Sequence, residues 1–385
     1  MRIGIDARFY GPKGKGLGRY TEKLIKNLEK VDAPHRRTSR KNQYVIFLRQ
    51  ENFNEYKPEN SNFKKVLADL KWYSLDEQLK MLKLIKKHKI DLMHFPHFNV
   101  PVLYRGDFVV TIHDLILLRF PTKRATTLGP LLYKFKYLAY KLAINSAVRR
   151  AKKVITVSEF TKKDLVNYFK IKSNKVVVTY EACDGVESGQ LSIPEPGFLE
   201  KYKITKPYIL YVGNAYPHKN LEGLIGAYKK FKEKNGYSYQ LILIGKEDYF
   251  YRRLKQDVYS TGLLYDNSVV FFGFASQKDL AYLYSRASLY VFPSFIEGFG
   301  LPGLEAMSFD LPVISSSTSS LPEILGKAAI YFDPKDKDKM VSKMEKVLKD
   351  KRLREEMIRR GREQINKFSW NNCARETLKI YEGVK

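Results

Sequence analysis

Short apolar runs alternate with amphipathic segments along most of the chain. Runs such as Tyr44–Leu48, Phe108–Ile112 and Gln240–Ile244 are followed or preceded by stretches with helical spacing of apolar residues, as in Ser74–His88. A continuous apolar run is typical of a strand that is covered on both faces of a parallel sheet, with helices as the crossover connections. The pattern therefore predicts an α/β protein.

The same pattern begins twice, at Arg2–Asp6 and again at Tyr208–Val212. A chain of 385 residues exceeds the usual size of a single core, so two α/β domains are expected. A Gly-, Ser- and Pro-containing segment precedes the second start and is typical of an interdomain linker. The predicted divisions are an N-terminal domain over residues 1–186, a linker over residues 187–206, a C-terminal domain over residues 207–366 and a final helix over residues 367–385.

The stretch over residues 291–323, VFPSFIEGFGLPGLEAMSFDLPVISSSTSSLPE, carries the main candidate chemistry. It is predicted to contain a buried strand, a turn with Glu297, Gly298 and Gly300, and a helix with Glu305 in its first turn. After a second strand, Ser319–Ser320 with Glu323 is predicted to cap another short helix. Glycines let main-chain N–H groups approach a ligand, and a helix N-terminus favours negative charge. The turn therefore predicts a phosphate-binding site.

Two carboxylates, Glu297 and Glu305, lie eight residues apart in this stretch. Because they would repel a phosphate, neutral hydroxyl groups are their more plausible partners; a surface-loop acid and a solvated helix acid are the alternative. The order E-x7-E, followed by P-V-I-S-S-S-T-S-S-L-P-E, resembles the signature of retaining glycosyltransferases of the GT4-like group. The resemblance continues through most of the chain.

This resemblance implies the GT-B fold, in which two Rossmann-like doubly wound domains face a central cleft and a C-terminal helix crosses back onto the N-terminal domain. It implies transfer of a mannose- or glucose-like hexose, with retention and without a metal or another cofactor, from an NDP-sugar (GDP- or UDP-sugar) to a glycan, glycolipid or lipid-linked acceptor. The catalytic residues would be His113, Lys219 and Glu297. The donor-binding residues would be Gly16, Gly18, Asn214, Gly273, Phe274, Gly298, Phe299, Gly300, Leu301 and Glu305.

Three further motifs support this assignment. The loop G-x-G-R-Y, with Gly16 and Gly18, resembles the family's glycine-rich loop, although a tight strand-to-helix turn without a ligand remains an alternative. The context T-I-H-D places His113 after a strand. In G-N-A-Y-P-H-K-N, Lys219 matches the lysine that neutralises the donor diphosphate, but Asn214 or Ala215 stands where many relatives carry an arginine.

The net charge of +28 is concentrated in the first half, where residues 1–185 hold 38 Lys and Arg against 17 Asp and Glu. Residues 115–158 hold ten basic residues and no acid. The residues expected to face an anionic acceptor or membrane are Arg119, Lys123, Arg124, Lys134, Lys136 and Lys141.

Within residues 115–158, helical spacing predicts one helix with two faces. The predicted core stripe is Leu131, Phe135, Leu138 and Leu142, and the predicted outer face is Tyr133, Tyr137, Tyr140 and Ile144. Tyrosines interleaved with lysines suit an anionic membrane surface, and an ordinary solvated basic face is the alternative.

Two cysteines, Cys183 and Cys373, cannot build a disulfide framework, and the N-terminus leads directly into a strand. A cytoplasmic protein, with the inner face of the membrane as a second location, is therefore expected. Three alternatives remain: a sugar-nucleotide epimerase of the same architecture, a phosphorylase, and a basic module that binds membranes or nucleic acid. A phosphorylase would require inorganic phosphate or a bound pyridoxal, and the sequence carries no clear signal for either. Because no recognised nucleic-acid motif accompanies the charge, no nucleic-acid partner is expected.

Overall fold

The computed structural model describes residues 1–32, 42–121, 129–183, 195–236 and 238–384. The chain divides into two compact units. Unit 1 comprises Met1–Leu118, Gly129–Glu181 and Ser369–Lys385, and unit 2 comprises Arg119–Leu128 and Ala182–Phe368.

Unit 1 is built on a parallel sheet of seven strands in the order β3-β2-β1-β4-β5-β6-β7. The strands are β1 (Arg2–Asp6), β2 (Gln43–Leu48), β3 (Phe63–Leu67), β4 (Leu92–Phe95), β5 (Phe108–Ile112), β6 (Lys153–Thr156) and β7 (Val176–Val178). The strand order reverses between β1 and β4, and in open α/β sheets ligands bind at the carboxyl ends of the strands beside such a switch point. The strand β3 was not predicted from the sequence.

In the described part of unit 1, five α-helices connect these strands. They are α1 (Lys15–Val31), α2 (Leu75–Lys87), α3 (Ile116–Arg119), α4 (Pro130–Arg150) and α5 (Glu159–Phe169). The hydroxyl oxygen of Ser74 accepts from the N–H of Glu77 at the start of α2, and Ser158 accepts from Thr161 at the start of α5. These N-caps satisfy main-chain donors that the helix itself leaves unpaired.

Unit 2 repeats the architecture with a six-stranded parallel sheet in the order β10-β9-β8-β11-β12-β13. Its strands are β8 (Tyr208–Val212), β9 (Gln240–Ile244), β10 (Val269–Gly273), β11 (Leu289–Phe292), β12 (Val313–Ser316) and β13 (Ala329–Phe332). Its helices are α6 (Phe198–Lys201), α7 (Leu221–Asn235), α8 (Tyr249–Tyr259), α9 (Gln277–Arg286), α10 (Leu301–Ser308), α11 (Leu321–Leu325), α12 (Lys337–Lys349) and α13 (Lys351–Ile365). The chain order again reverses at the first strand, between β8 and β11.

The last helix, α14 (Trp370–Glu382), belongs to unit 1 and packs against α1. Its Tyr381 hydroxyl bonds to Nδ1 of His94 at 2.6 Å, and Nε2 of His94 bonds to the Thr111 hydroxyl at 2.9 Å. Burial, followed by the neighbouring charge of His113, lowers the pKa of His94 to about 3. His94 is therefore a neutral core residue that ties α14 to the sheet.

Helix α4 corrects one sequence prediction. Phe135, Leu138 and Leu142, predicted to form the core stripe, are exposed, and the side chain of Leu131 lies outside the described residues. The predicted outer face is the buried one, since Ile144 is fully buried and Tyr137 packs against the core. The sequence carried apolar residues on both faces, so periodicity alone did not show which face points inward.

Within the described part of the chain, none of the helices is both long enough and apolar enough to cross a membrane.

Candidate functional site

A charged pair joins the segment after β8, which holds Lys219, to the loop after β11, which holds Glu297. The Lys219 ammonium contacts both carboxylate oxygens of Glu297, at 2.7 and 2.8 Å, and both side chains are largely buried. The hydroxyl of Ser294 donates to the same carboxylate at 2.7 Å. Two oxygens that accept from a cation and a hydroxyl form a fixed, charge-assisted arrangement. The structure therefore brings together two of the three predicted catalytic residues within unit 2.

Hydroxyl groups at the end of β12 hold the shape of this loop. The main-chain N–H of Glu297 donates to the Ser319 hydroxyl at 3.0 Å. The Ser320 hydroxyl donates to the carbonyl oxygens of Glu297 and Phe299, at 3.1 and 2.8 Å. Sequence analysis predicted a helix cap here, but the Ser320 side chain does not cap α11. The hydroxyl-rich run S-S-S-T-S-S, which begins in β12 and continues beyond it, was the signal that could have identified these residues.

The loop ends at the N-terminus of α10, where Gly300 has a φ of +112°. A Cβ atom at this position would lie 2.7 Å from a methyl group of Leu321, so both the backbone conformation and the packing require glycine. Glu305 lies in the second turn of α10 rather than in the first, and it accepts from the Tyr284 hydroxyl at 3.4 Å. The N-terminus of α10 and the Lys219 ammonium together favour a negatively charged group.

Other predicted donor residues occupy distinct positions in unit 2. Asn214 follows β8, and its carbonyl accepts from the Tyr211 hydroxyl at 2.8 Å. Gly273 ends β10 with a φ of +86°, and Phe274 next to it is exposed. The ring of Phe299 is buried, whereas Gly298 and Leu301 flank it on the loop and at the start of α10. The buried ring of Phe299 therefore cannot contact a ligand, and any contact from this residue would come from its main chain.

Asn220, which sequence analysis did not single out, fixes the position of Lys219. It adopts a left-handed conformation with a φ of 58°, and its side-chain amide donates to the carbonyls of Pro293 and Pro334, at 3.1 and 2.8 Å. Next to Lys219, burial and then the lysine charge lower the pKa of His218 to about 4. The cation at this position is therefore the lysine and not the histidine.

His113 lies in unit 1, one residue beyond β5. Its Nδ1 lies 3.2 Å from an Oε1 of Glu181, and its Nε2 lies 3.0 Å from the carbonyl oxygen of Pro96. Burial lowers the pKa of His113, but the Glu181 carboxylate and the Pro96 carbonyl outweigh it, and the net pKa is raised. Because a carboxylate and a carbonyl only accept, two filled bonds require a ring that donates from both nitrogens. Glu181 was missed in the sequence because it lies outside any recognisable motif.

The two predicted glycines of unit 1 lie in the first turn of α1 and not in a preceding loop. A Cβ atom on Gly18 would lie 2.1 Å from the carbonyl oxygen of Gly11, so this glycine permits close packing of α1 on the segment before it. A Cβ atom on Gly16 would meet nothing within 4 Å. Gly18 therefore has a packing role, and Gly16 faces open space at the N-terminus of α1.

The predicted basic residues are spread over two helices. Arg119 ends α3, whereas Lys134, Lys136 and Lys141 are exposed on α4. Lys123 and Arg124 lie outside the described residues. The described residues contain no group of three or more His, Cys, Asp or Glu side chains that could hold a metal ion.

Comparison with known proteins matches both halves of the chain to glycosyltransferases. The profile of Glycosyl transferases group 1 matches residues 198–364, and that of Glycosyltransferase Family 4 matches residues 15–184. O-antigen chain mannosyltransferase B of Escherichia coli is 31% identical over 304 residues, which cover 77% of this chain and 76% of that protein. O-antigen chain mannosyltransferase RfbU of Salmonella typhimurium is 30% identical, with 70% of this chain and 68% of that protein covered.

Among solved structures, sucrose-phosphate synthase from Thermosynechococcus elongatus superposes with a TM-score of 0.74 at 18% identity, over 100% of this chain and 99% of that chain. This likeness shows a common fold. The predicted family and fold class are both confirmed: the chain belongs to the group 1, family 4-like glycosyltransferases and has their two Rossmann-like parallel sheets.

Proposed function

We propose that this glycosyltransferase moves a mannosyl or similar hexosyl unit from a nucleoside diphosphate sugar to a glycan or lipid-linked acceptor, with retention at the anomeric carbon and without a metal ion. The two O-antigen mannosyltransferases that resemble the chain over most of its length support the hexose and the acceptor class. The observation that carries the proposal is the Lys219–Glu297 pair beside the N-terminus of α10.

Lys219 is assigned to the donor diphosphate. When the glycosidic bond breaks, negative charge grows on the leaving diphosphate, and a fixed ammonium stabilises that charge more in the transition state than in the ground state. The main-chain N–H groups of Gly298 and Gly300 and the dipole of α10 act in the same direction. A diphosphate competes with Glu297 for the ammonium, so donor binding exchanges one partner of Lys219 for another.

Glu297 is assigned to a hydroxyl group of the donor sugar. Its carboxylate is held by Ser294 on one oxygen even without the lysine, so it remains oriented when the diphosphate attracts Lys219. Glu305, one turn into α10, is assigned to the ribose hydroxyls, and Gly273 and Phe274 to the nucleotide base. His113 keeps its predicted role as a contact of the donor sugar, and Glu181 orients its ring.

The direct test is a thermal-shift panel of GDP-, UDP- and ADP-sugars, because a ligand that binds only the native state raises its stability. One nucleotide series should raise the melting temperature, and Glu305→Ala should weaken the corresponding nucleotide about tenfold or more in calorimetry, as expected for a lost hydrogen bond to a charged group. Equal affinity of wild type and Glu305→Ala would refute the ribose assignment.

The reaction class is tested by incubating the preferred donor with and without acceptor oligosaccharides. A transferase converts the donor when acceptor is present, and proton NMR of the product should show the anomeric configuration of the donor. Conversion of the sugar nucleotide without any acceptor would instead indicate an epimerase. Activity that persists in excess EDTA would support metal independence, and restoration of activity by an added divalent ion would contradict it.

A further inference from the structure

Helix α4 carries apolar residues on two opposite faces, and only one face is covered. On the inner face, Tyr137, Tyr140 and Ile144 pack into the core of unit 1. Among the described side chains of α4, four large apolar ones are exposed on the outer face and are here named the α4 stripe. Its members are Leu132 (50% exposed), Phe135 (72%), Leu138 (55%) and Leu142 (62%).

The members of the α4 stripe are three or four residues apart. With about 3.6 residues per turn, this spacing keeps them on one side of the helix along three turns. Isolated exposed leucines are common on protein surfaces, but a continuous row of large apolar side chains marks an interaction site. The α4 stripe therefore needs an apolar partner.

Lysines border the α4 stripe on both sides. On the helix surface, Lys134 and Lys141 lie along one edge and Lys136 lies along the other, and all three are exposed. The Lys141 ammonium also lies 4.8 Å from the centre of the Tyr137 ring, which holds this cation beside the stripe. Residues 115–158 contain no Asp or Glu that could neutralise these charges. The partner must therefore be apolar at its centre and anionic at its edges.

An apolar stripe bordered by lysines fits some classes of partner better than others. A second copy of the chain that used the same face in a symmetric contact would bring these lysines toward each other, which is unfavourable. Nucleic acid would satisfy the lysines but offers a charged, hydrated backbone to the apolar side chains. An anionic bilayer satisfies both, because acyl chains accept the apolar side chains and the headgroup phosphates accept the ammonium groups.

We propose that the α4 stripe and its three lysines form a surface that docks on an anionic lipid bilayer, with α4 parallel to the membrane plane. A groove beside the stripe, lined by Leu118, Tyr168 and Phe169 together with Lys141 and Arg149, extends this surface over unit 1. Side chains such as Phe135 and Leu142 then enter the boundary between headgroups and acyl chains. Docking of this kind holds an enzyme at the layer where lipid-linked acceptors lie.

The proposal is tested by flotation of the purified 385-residue chain with vesicles of phosphatidylcholine alone and with vesicles that contain about one third phosphatidylglycerol. No donor or acceptor is added, so the result does not depend on the proposed reaction. The chain should float with anionic vesicles and not with neutral ones. F135S/L142S should lower this binding about tenfold or more through lost apolar burial. K134E/K136E should lower it about tenfold or more through lost attraction to the anionic headgroups.

Two double variants serve as matched controls. L75S/L79S replaces leucines of α2 that are 84% and 56% exposed, and K229E/K255E makes the same change of net charge on exposed helix positions of unit 2. Both should bind anionic vesicles as the wild type does, and all four variants should keep the wild-type circular dichroism spectrum. The proposal is overturned if the wild type does not float with anionic vesicles or floats equally with neutral ones. It is also overturned if the control variants lose as much binding as the α4 variants. A change of oligomeric state in the α4 variants, with vesicle binding unchanged, would overturn it as well.

Discussion

Two of the predicted catalytic residues, Lys219 in unit 2 and His113 in unit 1, each pair with a carboxylate, and the two pairs differ in kind. In unit 2 the Lys219 ammonium contacts both oxygens of Glu297, at 2.7 and 2.8 Å. In unit 1 the His113 ring contacts one oxygen of Glu181 at 3.2 Å. An imidazole gains or loses its charge near neutral pH, so the second pair, unlike the first, depends on the state of a titrating ring.

The two pairs also differ in how many hydrogen bonds hold them in place. Glu297 is held by its lysine, by the Ser294 hydroxyl and, through its main chain, by Ser319 and Ser320. A carboxylate fixed by so many partners offers its ligand a preformed position. His113 is held from both ring nitrogens, so the orientation of this ring depends on its protonation. Under the proposed function the first pair acts in turnover, and the protonation of the second pair adds a pH-dependent contribution to stability.

The largest effect should come from Lys219→Ala. If this ammonium is the principal diphosphate contact, turnover should fall roughly 10²-fold or more, because stabilisation of the leaving group is lost in the transition state. Lys219→Arg should retain part of the activity, since it keeps the charge. Steady-state kinetics with the preferred NDP-sugar measure both values.

The matched control for this prediction is Lys229→Ala, which removes an exposed lysine of α7 in the same unit. Its turnover should equal that of the wild type. Equal turnover of Lys219→Ala and Lys229→Ala would remove the lysine from the mechanism and would make the pair with Glu297 purely structural.

A smaller effect, on stability, should follow from Glu181→Gln. The raised pKa of His113 means that the folded state favours the protonated ring. The stabilisation is therefore fully present below the ordinary pKa of 6.5 and is lost as the pH rises through the raised value. Removing the carboxylate should lower the free energy of unfolding by about 1.5–3 kcal/mol at acidic pH, and by less at alkaline pH.

Urea unfolding at about pH 5.5 and about pH 8.5 measures this difference. Glu59→Gln removes an exposed carboxylate elsewhere in unit 1 and should show no comparable pH dependence. A loss of stability in Glu181→Gln that is the same at both pH values, or larger at alkaline pH, would show that His113 is neutral in the folded chain.

The fold was predictable because its signals are local and repeated. Apolar runs gave the strands β1, β5 and β9 within a residue of their observed bounds, and the E-x7-E stretch gave the family. The unpredicted strand β3 contains two lysines in F-K-K-V-L and lies at the edge of its sheet, where burial is incomplete. A central strand can be recognised in the sequence by its continuous run of apolar residues, whereas an edge strand often has no such run.

Two features could not be derived because they depend on packing between distant segments. The inward face of α4 is decided by what lies beneath it, and Phe135 and Ile144 look equally suited to a core in the sequence. Similarly, Ser320 lies 23 residues after Glu297, and a helix cap was the local explanation for its hydroxyl. The assignments of Lys219, Glu297 and Glu305 to a donor remain predictions, and the structure adds the contacts that make them testable.

The smallest effect should come from Ser320→Ala. This variant distinguishes the contribution of the Lys219–Glu297 charges from that of the main-chain conformation of the loop. The variant removes a hydroxyl that donates to the carbonyls of Glu297 and Phe299, so it leaves the Lys219–Glu297 pair intact while loosening the turn that presents Gly300. Loss of this buried hydrogen bond should cost about 1–2 kcal/mol of unfolding free energy. It should also raise the KM for the donor more than it lowers kcat, because a mobile turn must be ordered by the ligand.

The matched variant is Ser285→Ala, whose hydroxyl donates to the Tyr282 carbonyl within α9. Alanine is a good helix former, so this substitution should leave stability and KM close to the wild type. If Ser320→Ala matched Ser285→Ala in both measurements, the serine contacts would not order the turn, and the position of Glu297 would have to depend on Lys219 and Ser294 alone. A raised KM with unchanged chemistry would instead show that hydroxyl groups at the end of β12 prepare the loop before any charge acts.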